Sequence, residues 1–289
     1  MNVVETHRAV LGRLLPADDL PDLVVRRGQF HDVVIGAEQV VCFARTRAAG
    51  ERMPRRAAVL RVLSGLGLGF RTPQPLAEGT TAGGEPSYLV LSRVPGAPLA
   101  TSELLRPGIS DTVAAQYAAL FRTLSEAGAT EAAREALPHQ RADRWPDFAE
   151  GVRRELWPLM SVAGRDRAEW ELAALDGLPQ VTSAVVHGDL GGENVLWEWT
   201  DGVPRLSGVV DWDGVLLGDQ AEDLAAVAAS YGDTLLAAVL VRLRPWGLAP
   251  ADVSARISAI RGTFALQQAL QALRDEDQSE LDDGLIGYR

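Results

Sequence analysis

The sequence contains no lysine, so every cationic side-chain role apart from histidine falls to its 28 arginines. A Walker A phosphate loop, which places a lysine after its last glycine, is therefore excluded. Cysteine occurs once, at Cys42, which rules out an internal disulfide or a cysteine zinc cluster and suits a reducing compartment. No uncharged apolar run approaches the length needed to span a bilayer. The stretch MNVVETHRAVLGRLLPADD carries charges inside its apolar part and has no signal-peptide core. Internal repeats and low-complexity tracts are also absent. These absences predict a soluble, cytoplasmic protein with no membrane association.

The composition is that of a globular chain, 47% hydrophobic and 23% charged over 289 residues, enough for one large domain or two lobes. The net charge of -11 is uneven. Residues 1–100 hold 12 Arg against 9 acids, giving +3, while residues 101–289 hold 16 Arg against 30 acids, giving -14. A field of that sign repels nucleic acid and anionic membrane and attracts cations, although a solvated acidic surface would give the same balance.

Val4, Val10, Leu11 and Leu14 recur at helical spacing within 3–16 and predict a helix that ends before Pro16. Short β-like runs follow at 23–25, 33–35 and 40–43, with Gly36-Ala37-Glu38-Gln39 as a hairpin turn. A helix over 54–65 and a strand over 88–91 complete a first lobe, 1–94. The breaker Val94-Pro95-Gly96-Ala97-Pro98 separates it from a second lobe, 95–289. There the stripe Val113, Tyr117, Leu120, Phe121 and Leu124 predicts one helix, and further helices are expected at 167–178, 220–230, 234–244 and 253–273. Two short strands near 195 and 208 carry polar loops within this second lobe. The fold class is α+β, a small β-rich lobe before a larger, mostly helical one.

Chemistry concentrates in HGDLGGENVLW, residues 187–197. The apolar runs Ala184–Val186 and Val195–Trp197 enclose a tight polar loop, and Gly188, Gly191 and Gly192 let its backbone turn sharply. An acid, Asp189, and an amide, Asn194, at fixed spacing in such a loop suggest positioning rather than solvation, although a polar hairpin alone would read the same way. Leu206–Val210 is strand-like and ends in Asp211-Trp212-Asp213. Carboxylates and an amide oxygen are hard ligands of the kind magnesium takes, with waters and phosphate oxygens completing its shell. Phosphoryl transfer needs such parts: an acid for the acceptor hydroxyl, metal ligands and a nucleotide cradle.

HGDLGGENVLW followed by GVVDWDGVLLGDQAEDLA resembles the aminoglycoside phosphotransferase family of kinase-like antibiotic kinases, whose pattern is H-G-D-x-x-x-x-N, then D-x-D, then G-D-x-x-x-D-L. The resemblance covers most of the chain and implies a two-lobed protein-kinase-like fold with ATP and Mg2+ as cofactors. It makes Asp189 the catalytic Asp that orients the hydroxyl and accepts its proton, and Asn194 and Asp211 the magnesium ligands. Asp213 is then a metal ligand, a brace for one, or a substrate contact. Asp219 and Asp223 are structural, and His187 braces the loop. Nucleotide contacts are implied at Gly28, Gln29, Phe30 and His31, where the phosphate-covering loop belongs, and at Arg45, Ser92 and Val94. The segments ETHRAVLGRLLP, GQFHDVVIG, VVCFARTRAA, GFRTPQPL and YLVLSRVPGAPL are similar to the subgroup that phosphorylates viomycin and capreomycin. A cationic cyclic peptide antibiotic is therefore the implied substrate, with an aminoglycoside as the alternative acceptor. Asp213, Glu276, Asp277, Glu280 and Asp283 are the candidate acidic contacts for it, within a cluster that also holds Asp275 and Asp282.

The first lobe departs from the pattern. Its loop has one glycine, Gly28, and the third-strand lysine is missing. Arg45 is the best stand-in, while Cys42 aligns with the lysine position. Arg56 occupies the place of the helix acid that would pair with that lysine, with Glu51 as an alternative. Arg45, Arg47, Arg55 and Arg56 either hold phosphates or coat the surface, with at least two of them on the surface. Two rival readings exist. DWDGV mimics the D-x-D-x-[T/V] motif of haloacid-dehalogenase-type phosphatases, with Asp211 as nucleophile, but that motif opens its domain and needs a downstream lysine. A non-catalytic kinase-like protein that sequesters a cationic ligand would also tolerate the missing lysine.

Overall fold

The computed structural model describes residues 3–28, 30–79 and 87–289. Gln29, one of the expected nucleotide contacts, lies outside the described residues. In chain order the elements begin with α1 (Val3–Thr6), α2 (Arg8–Leu14), β1 (Val24–Arg27), β2 (His31–Ile35), β3 (Gln39–Ala44), α3 (Arg47–Gly65), β4 (Pro75–Gly79), β5 (Tyr88–Ser92) and β6 (Ala97–Pro98). They continue through α4 (Ile109–Gly128), α5 (Glu131–Ala136), α6 (Arg144–Gly151), α7 (Val162–Ala173), β7 (Ala184–Val186), β8 (Val195–Thr200), β9 (Val203–Val209) and β10 (Leu216–Gly218). The last are α8 (Ala221–Leu243), α9 (Val253–Gly262), α10 (Phe264–Arg274) and α11 (Gln278–Gly284).

Two compact units result. The first comprises Met1–Ala100, Thr130–Leu137 and Glu193–Asp213, and the second comprises the remainder. This differs from a single boundary after residue 94, and it moves the strands near 195 and 208 out of the helical unit. Pairing is the reason. β6 pairs with β8 and β8 with β9, while the amide of Arg71 donates to the Ser207 carbonyl and the amide of Val209 to the Arg71 carbonyl, both at 3.0 Å. Hydrogen bonds between residues far apart in sequence outweigh chain order here.

The first unit is built on a five-stranded antiparallel sheet in the order β1-β2-β3-β5-β4. Alternation along the strands sorts its faces. Val34, Val41, Phe43 and Val90 form a buried core with Val10, Leu11 and Leu15 of the N-terminal segment. His31, Val33 and Cys42 occupy the alternate positions, Val33 being the register partner of Cys42. α3 starts seven residues earlier than its apolar stripe predicts, because Thr46 caps it by accepting a hydrogen bond from the Ala49 amide at 3.1 Å.

The second unit is helical. α4 carries the predicted stripe, with Val113, Tyr117, Leu120, Phe121 and Leu124 all buried, and it packs on α8 and on β7. Gly128 is required at its end, since a Cβ there would lie 2.6 Å from Ala184 Cα. The helices expected at 220–230 and 234–244 are the two halves of α8, which are separated at Gly232 by a non-helical backbone with φ 85° and ψ 169°. By length and composition α8 could cross a bilayer; half of that stretch is buried, and α8 packs against α4 and α9. The helix expected over 253–273 is two, α9 and α10, broken at Thr263, whose hydroxyl donates to the Ile260 carbonyl. The segment expected at 167–178 is α7, shifted toward the N-terminus by a Ser161 cap on Gly164.

Candidate active site

The loop bearing Asp189 belongs to the second unit. β7 leads into it and pairs with β10, not with β8, so the loop is not the turn of a hairpin. Gly188 sits at φ 85°, and a Cβ there would meet the Gly214 carbonyl oxygen at 2.7 Å. Asp223, in the first turn of α8, accepts hydrogen bonds from the amides of His187 at 2.7 Å and Gly188 at 3.0 Å. The amide of Gly192 donates to Ser230 Oγ at 2.9 Å, so α8 holds both ends of the loop. His187 is fully buried, and its Nδ1 accepts from the Asp189 amide at 3.2 Å. Leu190 is buried beside it and anchors the loop, while Asp189 stays exposed. Burial pushes the Asp223 carboxyl up to about 7, against the opposing pull of the two amides, and the charge of Asp189 adds to the rise. Asp219 accepts from the Ala221 amide at 3.0 Å and pairs with Arg256 at 2.8 Å, inside the fold.

Asn194 and Asp211 belong to the first unit and flank the open end of the β8–β9 hairpin. Val195 is the register partner of Val209, and one residue further out the Asn194 carbonyl accepts from the Val210 amide at 2.9 Å. Asp211 has φ 63°, a left-handed conformation that aspartate tolerates better than most residues and that concentrates at functional sites. The strand leading to it is fixed from one side by Arg71. Gly208 permits that approach, since a Cβ would lie 2.3 Å from the Arg71 carbonyl oxygen. Trp212, between the two acids, is a buried anchor. It stacks on Phe70 with centroids 6.5 Å apart and donates from Nε1 to the Val209 carbonyl at 2.9 Å.

Asp213 meets Arg56 rather than standing free. Arg56 Nε lies 2.6 Å from Asp213 Oδ1 and Nη2 lies 3.8 Å from Asp211 Oδ1. Burial raises the Asp213 pKa and Arg56 pulls it back. Arg56 also bonds His31 Nδ1 at 3.4 Å, and its charge opposes the rise that burial imposes on the Cys42 thiol. Burial, reinforced by Arg56, pushes His31 down to about 4. Of the candidate arginines, Arg56 is thus the partly buried one at the acids. Arg47 is exposed on Glu51 at 2.8 Å, and Arg45 donates to the Gly28 carbonyl at 2.8 Å. The charge of Arg56 is opposite to that of the helix acid its position implied, and only the fold shows what it faces.

Gly28 closes the β1–β2 turn by donating its amide to the His31 carbonyl at 2.9 Å, and the Arg52 guanidinium lies over the Phe30 ring at 5.5 Å. Ser92 Oγ accepts from the Gln74 amide at 2.9 Å, Val94 is buried, and both line a cavity of about 380 Å³ with Phe70 and Arg71. Three of the C-terminal acids have partners around α11. Asp277 caps it by accepting from the amides of Ser279 and Glu280, and Glu280 accepts from Gln268 Nε2 at 2.7 Å. Asp282 engages Gln278 and Arg289. Glu276 sits at φ 59° where α10 gives way to α11, and Asp283 lies in α11. None of Glu276, Asp277, Glu280 and Asp283 lines the cavity of about 560 Å³ in this unit, whose walls include Arg141, Arg144, Arg154 and Arg274. Some of the acids of this unit are paired with arginine, as in Arg153–Glu169, Arg144–Glu222 and Arg274–Glu155, which leaves the excess of acids unpaired by arginine unchanged.

Over its whole length the chain is 63% identical to viomycin phosphotransferase of Streptomyces vinaceus, covering 100% of both chains. The GDP and kanamycin complex of APH(2")-IIia superposes with a TM-score of 0.81 at 19% identity, covering 97% of this chain and 96% of that one. The streptomycin-ATP ternary complex of APH(2")-IIa gives 0.70 at 14% identity, covering 97% and 96%. These two share the kinase-like fold of a β-sheet unit and a helical unit. The model of the phosphotransferase enzyme family matches residues 22–283. On that match, and on full-length identity with one of its members, this chain belongs to the phosphotransferase enzyme family and is an enzyme of phosphoryl transfer.

Proposed function

We propose that this enzyme moves the γ-phosphoryl group of ATP to a hydroxyl of a basic cyclic peptide antibiotic of the viomycin and capreomycin type, in the cytoplasm, and so confers resistance. The identity with viomycin phosphotransferase supports the acceptor class. The GDP and ATP bound by proteins of the same fold support a nucleoside triphosphate donor. The observation that carries the chemistry is the open end of β8–β9, where an amide and a carboxylate sit one and two residues beyond a paired strand end.

The donor set at that end fits magnesium. Amide and carboxylate oxygens are hard ligands. The Asp211 side chain is 56% exposed and 3.8 Å from Arg56, so its oxygens are open to a cation. Among the described residues no three of His, Cys, Asp and Glu gather into a metal cluster. A cation held by Asn194 and Asp211 would therefore complete its shell with waters and phosphate oxygens, as magnesium does with nucleotides. When bound, it would neutralise charge on the phosphate oxygens.

Asp189 would orient the acceptor hydroxyl and take its proton. The loop around it is fixed by Asp223, Ser230 and His187 before any substrate arrives, so little reorganisation opposes the reaction. Asp213 pairs with Arg56 Nε at 2.6 Å. The test is mass spectrometry of viomycin, capreomycin, kanamycin and streptomycin incubated with enzyme, ATP and magnesium. The two cyclic peptides should gain one phosphoryl group. Modification of kanamycin alone would move the acceptor to the aminoglycosides.

A further inference from the structure

The cavity of about 380 Å³ in the first unit takes its walls from the end of α3, from the segment between α3 and β4, and from residues 92–94 at the end of β5. Gly28, Phe30, His31, Arg45 and Arg56 are not among them, so it stands apart from the β1–β2 turn and from the arginine at the two acids. Two arginines, Arg71 and Arg93, line it, and no carboxylate does. Arg71 Nη1 donates to Glu198 Oε2 at 2.9 Å and to Ser207 Oγ at 2.8 Å, and Arg93 Nη1 donates to the Gly36 and Ala37 carbonyls at 3.0 and 3.2 Å. Nε and Nη2 of both guanidiniums bond nothing among the described residues. Two positive charges less the one negative charge of Glu198 leave +1 beside the cavity.

Thr72, in the same wall, is 7% exposed, and its hydroxyl has no partner among the described residues, although the oxygen keeps accessible surface. Buried polar groups are nearly always hydrogen-bonded, so this hydroxyl and the idle guanidinium nitrogens mark a place where a ligand is met. Leu63, Leu68, Phe70 and Val94 supply an apolar wall. Small-molecule sites of this volume combine such a lining with a few polar groups that fix orientation. Guanidinium nitrogens match the two oxygens of a carboxylate, and a net +1 suits a single negative charge.

The same wall supports the strand that ends at Asp211. Phe70 stacks on Trp212, the backbone of Arg71 bonds β9 at Ser207 and Val209, and Val94 Cγ1 stands 2.7 Å from where a Cβ on Gly208 would lie. Going beyond the phosphotransferase reading, we propose that this cavity is an effector site for a small monocarboxylate with an apolar body, held by Arg71, Arg93 and Thr72. An occupant that ties residues 71 and 72 to residue 93 steadies the segment on which β9 rests, and so favours the arrangement of Asp211 that takes metal and nucleotide. The coupling is reciprocal: magnesium-ATP tightens the carboxylate by the factor by which the carboxylate tightens magnesium-ATP.

The test ligand is 4-phenylbutyrate, with 4-phenylbutanol and 4-phenylbutylamine as neutral and cationic counterparts, each titrated calorimetrically into the wild type. The carboxylate should bind at least about tenfold more tightly than the alcohol, the size of one charge-assisted hydrogen bond, and the amine should bind more weakly still. Thr72→Val removes only the unpartnered hydroxyl, so it should melt no lower than the wild type yet weaken 4-phenylbutyrate about fivefold, and Thr72→Ser should restore the affinity. Arg93→Gln, checked for folding by thermal melting, should weaken it about tenfold. Saturating 4-phenylbutyrate should strengthen magnesium-ATP binding about fivefold or more. The site is overturned if the alcohol binds as tightly as the carboxylate, if folded Thr72→Val and Arg93→Gln bind 4-phenylbutyrate as the wild type does, or if ATP displaces it, which would make the cavity part of the nucleotide site. Magnesium-ATP affinity indifferent to 4-phenylbutyrate overturns the effector role. A wild type that binds 4-phenylbutyrate but no ATP sinks the phosphotransferase reading and leaves the carboxylate site standing.

Discussion

Asp223→Asn should make stability and rate respond in different ways, with the sign on stability set by pH. The carboxyl is buried in α8 and sits at about 7, against an ordinary 3.8, because burial outweighs the two amides it accepts from. A rise of about 3 units corresponds to about 4 kcal/mol between its two protonation states. Because the folded value lies above the unfolded one, the group favours the folded state fully below about pH 4 and loses that contribution as pH rises through about 7. Asparagine carries no charge to bury, but its amide nitrogen replaces one acceptor. One of the N–H groups of His187 and Gly188, now bonded at 2.7 and 3.0 Å, is left unmet at about 1–3 kcal/mol. The variant should therefore be less stable than wild type near about pH 4 and as stable or more so near about pH 8, with a crossover between. Its turnover should fall at least about tenfold at every pH, since the loop bearing Asp189 loses one of its ties and small misplacements of reacting groups cost up to about 10²-fold. Thermal melts across that pH range and steady-state phosphorylation of viomycin measure both effects. Equal destabilisation at low and high pH would refute the burial argument, and unchanged turnover would refute the bracing role.

Asp189→Asn should fold and bind nucleotide normally yet lose about 10²–10⁴ in turnover, read by calorimetry and initial rates, since its contribution is confined to the transition state. Asp211→Ala should weaken magnesium-dependent ATP binding as well as rate, so calorimetry with and without magnesium should converge in the variant. Gly208→Ala should destabilise by about 1–3 kcal/mol and shift the strand that ends at Asp211, because the new Cβ meets a backbone carbonyl that has little room to move; denaturant melts and magnesium-ATP affinity measure the two parts.

Sequence by itself determined much of this protein. The short, continuous apolar runs at 33–35 and 40–43 marked the central strands, because β-branched and aromatic residues bounded by turn residues read as strand, and the stripe from Val113 to Leu124 marked α4, because burial of one helix face imposes a period that survives without any knowledge of partners. HGDLGGENVLW and DWDG marked the polar loops, because phosphoryl transfer restricts which residue types can stand at that spacing. Strands such as β4, β6 and β10, of two to five residues, left no such period and were visible only once paired. Tertiary structure alone decided the rest. It assigned β8 and β9 to the β-sheet unit, because Arg71 and β6 complete their hydrogen bonds from about a hundred residues or more away. It turned three of the C-terminal acids into caps and partners of α11, since an acid's role depends on which donor lies within reach. It also put Arg56 beside Asp213 and His31 and partly buried it there. A helix position, a strand position and a loop acid converge on that guanidinium only after folding, because electrostatic pairing acts through distance in space and leaves no period in the chain.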